Sequence, residues 1–123
     1  MYNDVVIEHF QNPRNVGEME NPDSVAQVGS KECGDTMKVA IKVKDGHIDD
    51  IKFKTYGCAA AIASTSILTQ LAKGKTLDEA EKLTMHNIKN ALKDLPKIKV
   101  HCSSMAIQAL QKAIKNYERK HKQ

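Results

Sequence analysis

The sequence predicts an α+β domain, in which a three-stranded antiparallel sheet is packed with about five helices. Residues 24–55 alternate in polarity around an Asp-Gly turn, whereas from residue 58 onward apolar residues recur at helical spacing. Strands followed by a run of helices are typical of an antiparallel meander covered on one face. Since the 123 residues contain no internal repeat or long linker, we expect residues 1–123 to form a single domain.

The N-terminal segment is predicted to be a short helix over residues 2–11 that stops before Pro13. Its apolar stripe comprises Val5, Val6, His9 and Phe10. The following residues, 12–23, contain two prolines and a glycine and are predicted to be irregular. A first strand is expected at about 24–30.

The central part of the sequence predicts a β-hairpin. Met37, Val39, Ile41 and Val43 alternate with less apolar residues, the pattern of a half-buried strand. Asp45-Gly46 is a strong hairpin turn. In the returning strand, 47–55, Ile48 is out of phase with the apolar residues that follow, so we predict a bulge near Asp49-Asp50.

The C-terminal half is predicted to be helical. A helix rich in small residues spans 58–73 and stops at Gly74. Thr76 and Glu79 form a capping box for a short helix to about Lys82, and Thr84 caps another to about 92–93. Residues 97–100 are predicted to be extended. The last helix, about 102–119, carries an apolar stripe of Ala106, Ala109, Leu110, Ala113, Ile114 and Tyr117.

Composition and charge exclude several classes of protein. No apolar run approaches the roughly 20 residues of a membrane span, and the first ten residues do not resemble a secretory signal. The net charge of +4 is partly gathered near the C-terminus without interleaved aromatic residues, which disfavours nucleic-acid binding and fits an acidic patch on a partner protein. Three cysteines, an odd number, predict free thiols in a reducing cytoplasm.

The three cysteines each stand where the chain starts a new element. Cys58 and Cys102 fall at predicted helix N-termini, where the helix dipole lowers a thiol pKa and favours the thiolate. Cys33 precedes the central strand, with Asp35 two residues on, and His101 precedes Cys102. The set offers three thiolates, one carboxylate and one imidazole, and it predicts a metal or sulfur site assembled by folding.

Simpler interpretations of these residues stay open. A lone cysteine is commonly a small buried hydrophobic residue, and Asp35 and His101 could be a turn residue and a surface histidine. The other histidines, at positions 9, 47, 86 and 121, are interpreted as structural or solvated. Cysteine hydrolase chemistry is disfavoured, because adjacent residues such as His101 and Cys102 do not face each other in a helix.

Several motifs in order resemble the IscU/NifU-type iron–sulfur cluster assembly scaffolds, over nearly the whole chain. They are the opening segment 5–17 (VVIEHFQNPRNVG), Cys33-Gly34-Asp35, the segment 53–58 (FKTYGC) with 61–64 (AIAS), and the segment 99–103 (KVHCS). The resemblance implies an IscU/SufE-like fold with a three-stranded antiparallel sheet, in agreement with the pattern above.

The resemblance also implies a function. The chain would be a scaffold, not an enzyme, on which a [2Fe–2S] cluster is built from iron and from sulfur delivered by a cysteine desulfurase, and from which apo-proteins receive the cluster. The resemblance implies that the thiolate ligands and sulfur acceptors are Cys33, Cys58 and Cys102, with Asp35 as a labile fourth ligand and His101 as an alternate or neighbouring one. Gly34, Gly57 and Lys99 would lie near the site.

Departures and alternatives limit what the resemblance implies. Residues 95–99 read LPKIK where the family commonly has LPPVK, which weakens the expectation of an Hsp70-type chaperone partner. Because Cys3Asp or Cys3His is also a competent zinc set, a zinc-binding sulfur acceptor of the SufU-like kind is the alternative. An electron-transfer ferredoxin is disfavoured, since a fourth cysteine is missing. A homodimer, and a cluster bridging two chains, stay open.

Overall fold

The computed structural model of the protein describes residues 4–30, 35–56, 59–91 and 100–121. In these ranges three strands and five helices follow one another as α1 (Asp4–Gln11), β1 (Ser24–Ser30), β2 (Asp35–Lys44), β3 (His47–Tyr56), α2 (Ala59–Ala72), α3 (Leu77–Glu81), α4 (Met85–Ala91) and α5 (Val100–His121). The strands pair antiparallel in the order β1-β2-β3. The α+β class and the three-stranded meander are therefore confirmed.

The β2–β3 hairpin has the turn and the bulge that the sequence predicts. Asp45 and Gly46 both have positive φ, 54° and 76°, as a two-residue turn matched to the twist of the strands requires. The register then shifts, because Lys42 pairs with Asp50 whereas Val43 pairs with Ile48. The bulge returns Ile48 to the buried side, where it is fully enclosed.

Helices pack on the inner face of the sheet, whereas the outer face carries mostly polar side chains. Helices α2 and α5 pack on the inner face, onto buried side chains that include Met37, Val39, Ile41, Ile51 and Phe53. Residues 15–17 run along the free edge of β3, where Gly17 N–H donates to Phe53 O (3.0 Å) and Phe53 N–H donates to Asn15 O (2.9 Å). The outer face, built of the alternate residues of each strand, carries mostly polar side chains.

Helix α2 is buried on nearly every side between α1, α5 and the sheet. Small residues make this close approach possible, since Ala61, Ala63 and Ala72 add little bulk. Its buried hydroxyls are hydrogen-bonded: Thr65 Oγ1 donates to Ala61 O (2.7 Å) and Thr69 Oγ1 donates to Ser66 O (2.7 Å). Bonding of this kind removes the desolvation penalty of buried hydroxyls, which would otherwise destabilise the helix.

A buried hydrogen-bond network attaches α1 to α2. Ser66 Oγ accepts the backbone N–H of Arg14 (2.9 Å) and lies 2.7 Å from His9 Nδ1. The direction of the bond to His9 follows the imidazole tautomer, since the hydroxyl can donate one hydrogen and has a second lone pair that can accept. His9 and Val6 are buried, as predicted, but the expected place of Phe10 in the buried stripe is wrong: its side chain is 44% exposed. In a helix of eight residues the contact with α2 is narrow, and Phe10 lies beside it.

The helix ends largely follow the sequence signals. Gly74 has φ 87° beyond the end of α2, and Thr76 and Glu79 form the predicted capping box. The extended conformation expected for residues 97–100 is wrong at Val100, where α5 already begins, and residues 97–99 lie outside the described residues. The predicted start of the first helix at 2–3 and the end of the fourth at 92–93 also lie outside them. The apolar stripe of α5 is buried from Ala106 to Ile114, as predicted.

Among the described helices, the longest is α5, and none is both long enough and apolar enough to cross a bilayer.

Replacing Ser66 by Ala should lower the free energy of unfolding by about 1–3 kcal/mol, because the Arg14 N–H and the His9 ring would lose their buried partner. Urea titration followed by circular dichroism measures this change. Ser104→Ala is the matched control: Ser104 bonds only the exposed Gln108 amide (3.2 Å) among the described contacts, so we expect a change within about 0.5 kcal/mol. Equal losses in the two variants would contradict the role of Ser66.

His9 should make stability depend on pH. Burial, with a smaller contribution from the Arg14 charge, lowers the pKa of His9 below its ordinary value of 6.5. The unfolded chain therefore binds a proton at a higher pH than the folded one, and stability should fall as pH drops below about 6.5. Urea midpoints measured from about pH 7 down to about pH 5 test this. His9→Gln keeps a hydrogen-bonding side chain without the titration and should flatten the slope; an unchanged slope would assign the effect to other groups.

Candidate functional site

Described residues next to two of the predicted cysteine ligands lie at one end of the sheet. Ser30, the last residue of β1, pairs with Asp35, the first residue of β2. Thr36 in turn pairs with Tyr56, the last residue of β3. Thr55 Oγ1 donates to Thr36 O (2.7 Å) and fastens the two strands at this end. The start of β2 and the end of β3 therefore lie beside each other; we call this region the site end.

Helix α2 begins near the site end. Only two residues separate Tyr56 from Ala59, so their Cα atoms lie at most about 11 Å apart. Beyond the far end of α2, the Gly74 N–H donates to Ile48 O (2.8 Å) at the start of β3. The helix thus runs back along the sheet, antiparallel to β3. Thr65 on α2 also lies 3.4 Å from Met37 Sδ on β2, which fixes α2 against the strand that starts at Asp35.

Helix α5 brings its N-terminal half toward the same end. Near the start of β1, Ser24 Oγ donates to Ala113 O (2.6 Å), whereas farther along β1 the Gln27 carbonyl accepts from Lys112 Nζ (3.1 Å). The helix therefore runs opposite to β1. Cys102 precedes Ala113 by eleven residues, about 16 Å of helix, and β1 extends about 20 Å from Ser24 to Ser30. The first turn of α5 accordingly lies toward the site end.

The structure describes the backbone of some of the predicted ligands and not of others. Asp35 is the first residue of β2, and His101 and Cys102 lie in the first turn of α5; only the backbone of these three is described. Cys33, Gly34, Gly57, Cys58 and Lys99 lie outside the described residues. The described neighbours of the three cysteines lie toward one end of the sheet: Asp35 for the first, Tyr56 and Ala59 for the second and Val100 for the third.

Two helix N-termini give the site end its electrostatic character. Neither α2 nor α5 has an acidic residue in its first turn. The positive end of each helix dipole is therefore not compensated by a carboxylate of that turn, and it favours negative charge nearby. A thiol beside such an end has a lowered pKa. The arrangement is chemically suited to thiolates that bind a metal ion or accept sulfur.

Histidine and acidic side chains elsewhere do not form a competing metal site in the part of the chain that the structure describes, where no cluster of three or more possible ligands occurs. His47 Nδ1 lies 3.0 Å from Asp45 O, and His86 Nε2 lies 3.0 Å from Asn90 Nδ2. With His9 buried against Ser66, these three histidines have the structural or solvated places predicted for them. The side chain of His121 is outside the description.

One residue at the site end was not predicted as functional. Tyr56 ends β3 with its side chain 76% exposed, the most exposed of the large apolar side chains described. It lies on the outer face, in the row next to Lys38 and Lys54. The sequence alone indicates that the Tyr56 side chain is exposed, because Tyr56 is in phase with Lys52 and Lys54 on the polar side of a strand.

Comparisons with known proteins agree with this geometry. The family model of the NifU-like N-terminal domain matches residues 1–123. The iron-sulfur cluster assembly scaffold protein IscU 1 of Archaeoglobus fulgidus is 57% identical over 120 residues, covering 98% of this chain and 78% of the relative. Scaffold protein IscU of Escherichia coli K12 is 48% identical over 123 residues, covering 97% and 95% of the two chains.

Solved structures have the same fold. A NifU-like protein (N-terminal) from Brucella abortus superimposes with a TM-score of 0.80 at 25% identity, covering 96% of this chain and 94% of that one. A scaffold protein of the SUF system from Fervidobacterium islandicum gives 0.76 at 23% identity, covering 92% and 96%, a likeness of fold alone. Because the family model matches residues 1–123 and the IscU proteins are 48% and 57% identical to this chain, the chain belongs to the family of NifU-like N-terminal domains.

Proposed function

We propose that this protein is a scaffold on which a [2Fe–2S] cluster is assembled and from which the cluster passes to apo-proteins. The observation that supports the proposal is the position of the described neighbours of Cys33, Cys58 and Cys102 toward the same end of the sheet. The scaffold names of relatives at 48% and 57% identity over nearly the whole chain support the same function.

The ligand chemistry explains why such a site would build a cluster without keeping it. A stable ferredoxin holds its cluster with four cysteine thiolates. Here three soft thiolates would be joined by Asp35, a hard oxygen ligand, or by the imidazole of His101. A mixed set of this kind holds iron–sulfur clusters less tightly than four thiolates. The cluster is thus cargo, and a labile fourth ligand favours its release.

The same thiolates would accept sulfur. A thiolate is the nucleophile in exchange at sulfur, and the helix N-termini at the site end raise the thiolate fraction at neutral pH. We propose a cysteine desulfurase as the sulfur donor and apo iron–sulfur proteins as the receivers. In this scheme the chain binds and orients iron and sulfur and has no catalytic role of its own, while Gly34, Gly57 and Lys99 border the site.

Anaerobic reconstitution tests the proposal. The protein is incubated with Fe²⁺, cysteine and a cysteine desulfurase, and visible absorption is followed before and after addition of an apo-ferredoxin. A [2Fe–2S] spectrum that forms on this chain and then moves to the acceptor would establish the scaffold. If sulfur reaches the cysteines, no cluster forms and zinc binds tightly, the chain is a zinc-binding sulfur acceptor.

Replacing Cys102 by Ser should abolish the stable cluster, because a hydroxyl is a much poorer iron ligand than a thiolate. The absorption spectrum after reconstitution measures this directly. Ser104→Ala, two residues farther along α5, is the control and should leave the spectrum unchanged. A normal spectrum in Cys102→Ser would remove Cys102 from the ligand set.

Replacing Asp35 by Ala should lengthen cluster retention and slow transfer severalfold, because the one exchangeable oxygen ligand is removed from a thiolate site. The rate of cluster appearance on an apo-ferredoxin measures the effect. Asp49→Ala, in the bulge near the opposite end of β3, removes the same charge away from the site and should transfer like the wild type. Transfer from Asp35→Ala at the wild-type rate would show that this carboxylate is not the labile ligand.

A further inference from the structure

The outer face of the sheet carries four lysines on neighbouring strands, which we call the lysine face: Lys38, Lys42, Lys52 and Lys54. Lys38 and Lys54 are directly opposite each other, and Lys52 is opposite the small residue Ala40. Like charges in opposite positions destabilise a sheet. The placement of these lysines on one face therefore favours binding of a negatively charged partner.

Glu18 is such a partner within the chain. Its carboxylate bridges the opposed pair, with Oε1 2.8 Å from Lys54 Nζ and Oε2 3.6 Å from Lys38 Nζ. The hydrogen bond from Lys54 and the charge of Lys38 lower the pKa of Glu18, so it stays ionised near neutral pH. The lysine pair is thus arranged to receive a carboxylate.

This internal pairing is weakly held. The Glu18 side chain is 62% exposed, and the Lys38 and Lys54 side chains are 42% and 50% exposed. Exposed ion pairs contribute little to stability, because water and salt screen them. A carboxylate from another protein can therefore replace Glu18 without loss of the fold.

A small cavity adjoins the lysine pair. Glu18, Lys38, Lys52 and Lys54 line it together with the apolar residues Met19, Pro22, Val25 and Ala40. Its volume is about 130 Å³. A lining of lysines and apolar groups suits an acidic side chain that takes the place of Glu18, because its methylene groups can contact the apolar residues while its carboxylate contacts the lysines.

The lysine face is continuous with the site end. Tyr56 shares its face, one row from Lys54, and alternate residues of a strand are about 7 Å apart. Thr36, which pairs with Tyr56, directly follows Asp35. A protein seated on the lysine face and on the exposed Tyr56 ring therefore reaches the end of the sheet where the candidate ligands gather. Tyrosine is enriched at such contacts, since it buries a large area with few rotatable bonds.

We propose that the lysine face, with Tyr56, is the docking surface for an acidic protein that receives the assembled cluster, and that Glu18 occupies the lysine pair until a carboxylate of that protein replaces it. This inference rests on the proposed scaffold function. An acidic protein is favoured over a nucleic acid, because the observed partner of the lysine pair is a carboxylate and Tyr56 is the single exposed aromatic residue on the described part of this face.

Binding of the metal-free chain to an apo-ferredoxin with net negative charge tests the surface, measured by calorimetry at low salt. Lys52→Glu should raise Kd about tenfold through charge reversal at the interface. Glu18→Gln should lower Kd about threefold, because the internal competitor is neutralised. Lys82→Glu makes the same charge reversal at the exposed end of α3 and should leave Kd unchanged.

The outcomes separate this surface from the scaffold function. Wild-type-like binding by Lys52→Glu, an equal loss in Lys82→Glu, or no binding by the wild type would overturn the docking surface. Displacement of the ferredoxin by a random oligonucleotide at lower concentration would also overturn it. Each variant is also reconstituted with iron and sulfur, and Lys52→Glu should build cluster normally while transferring it more slowly. Failure of the wild type to build cluster would refute the scaffold function, and the binding comparison would still stand.

Discussion

The burial of α2 is the constraint on which the rest of the structure depends. This helix contacts α1, α5 and the sheet, and its alanines, serines and threonines let all of them approach closely. Larger side chains on it would separate these elements, since a packed interior accommodates extra volume poorly. Because α2 starts two residues after the end of β3 and lies against Met37, its position also fixes where the first described residue after Cys58, Ala59, lies relative to β2.

Local sequence signals predicted most of the fold. The Asp45-Gly46 turn, the bulge at Asp49 and the capping box at Thr76 each depend on a few adjacent residues, so each could be predicted without knowledge of the tertiary structure. The exposure of Phe10 and the helical state of Val100 could not. The exposure of Phe10 depends on how α1 packs against α2, and the helical state of Val100 depends on where α5 begins. Both are properties of packing between distant segments.

The sequence was sufficient to propose which residues form the candidate site, but not to predict the contacts that surround it. Cysteines before predicted helices and strands were sufficient to expect one assembled site, which stays a prediction because Cys33 and Cys58 lie outside the described residues. The hydrogen bond from Thr55 to Thr36 and the pairing of Glu18 with Lys38 and Lys54 could not be predicted, because they need the strand register and the path of residues 15–23. Register is set over the whole sheet and not by neighbouring residues.

The order of the elements along the chain has a consequence for synthesis in the cell. The meander and α2 form a contiguous stretch, residues 24–72, which contains the first two cysteines. The third arrives with α5, the last of the described elements, and this helix bonds to β1 residues that lie 89 and 91 positions earlier in the chain. Since chains emerge N-terminus first, a nascent chain presents two thiols of the proposed site before the third can join them. In this proposal, docking of α5 completes both the helical cover of the sheet and the ligand set.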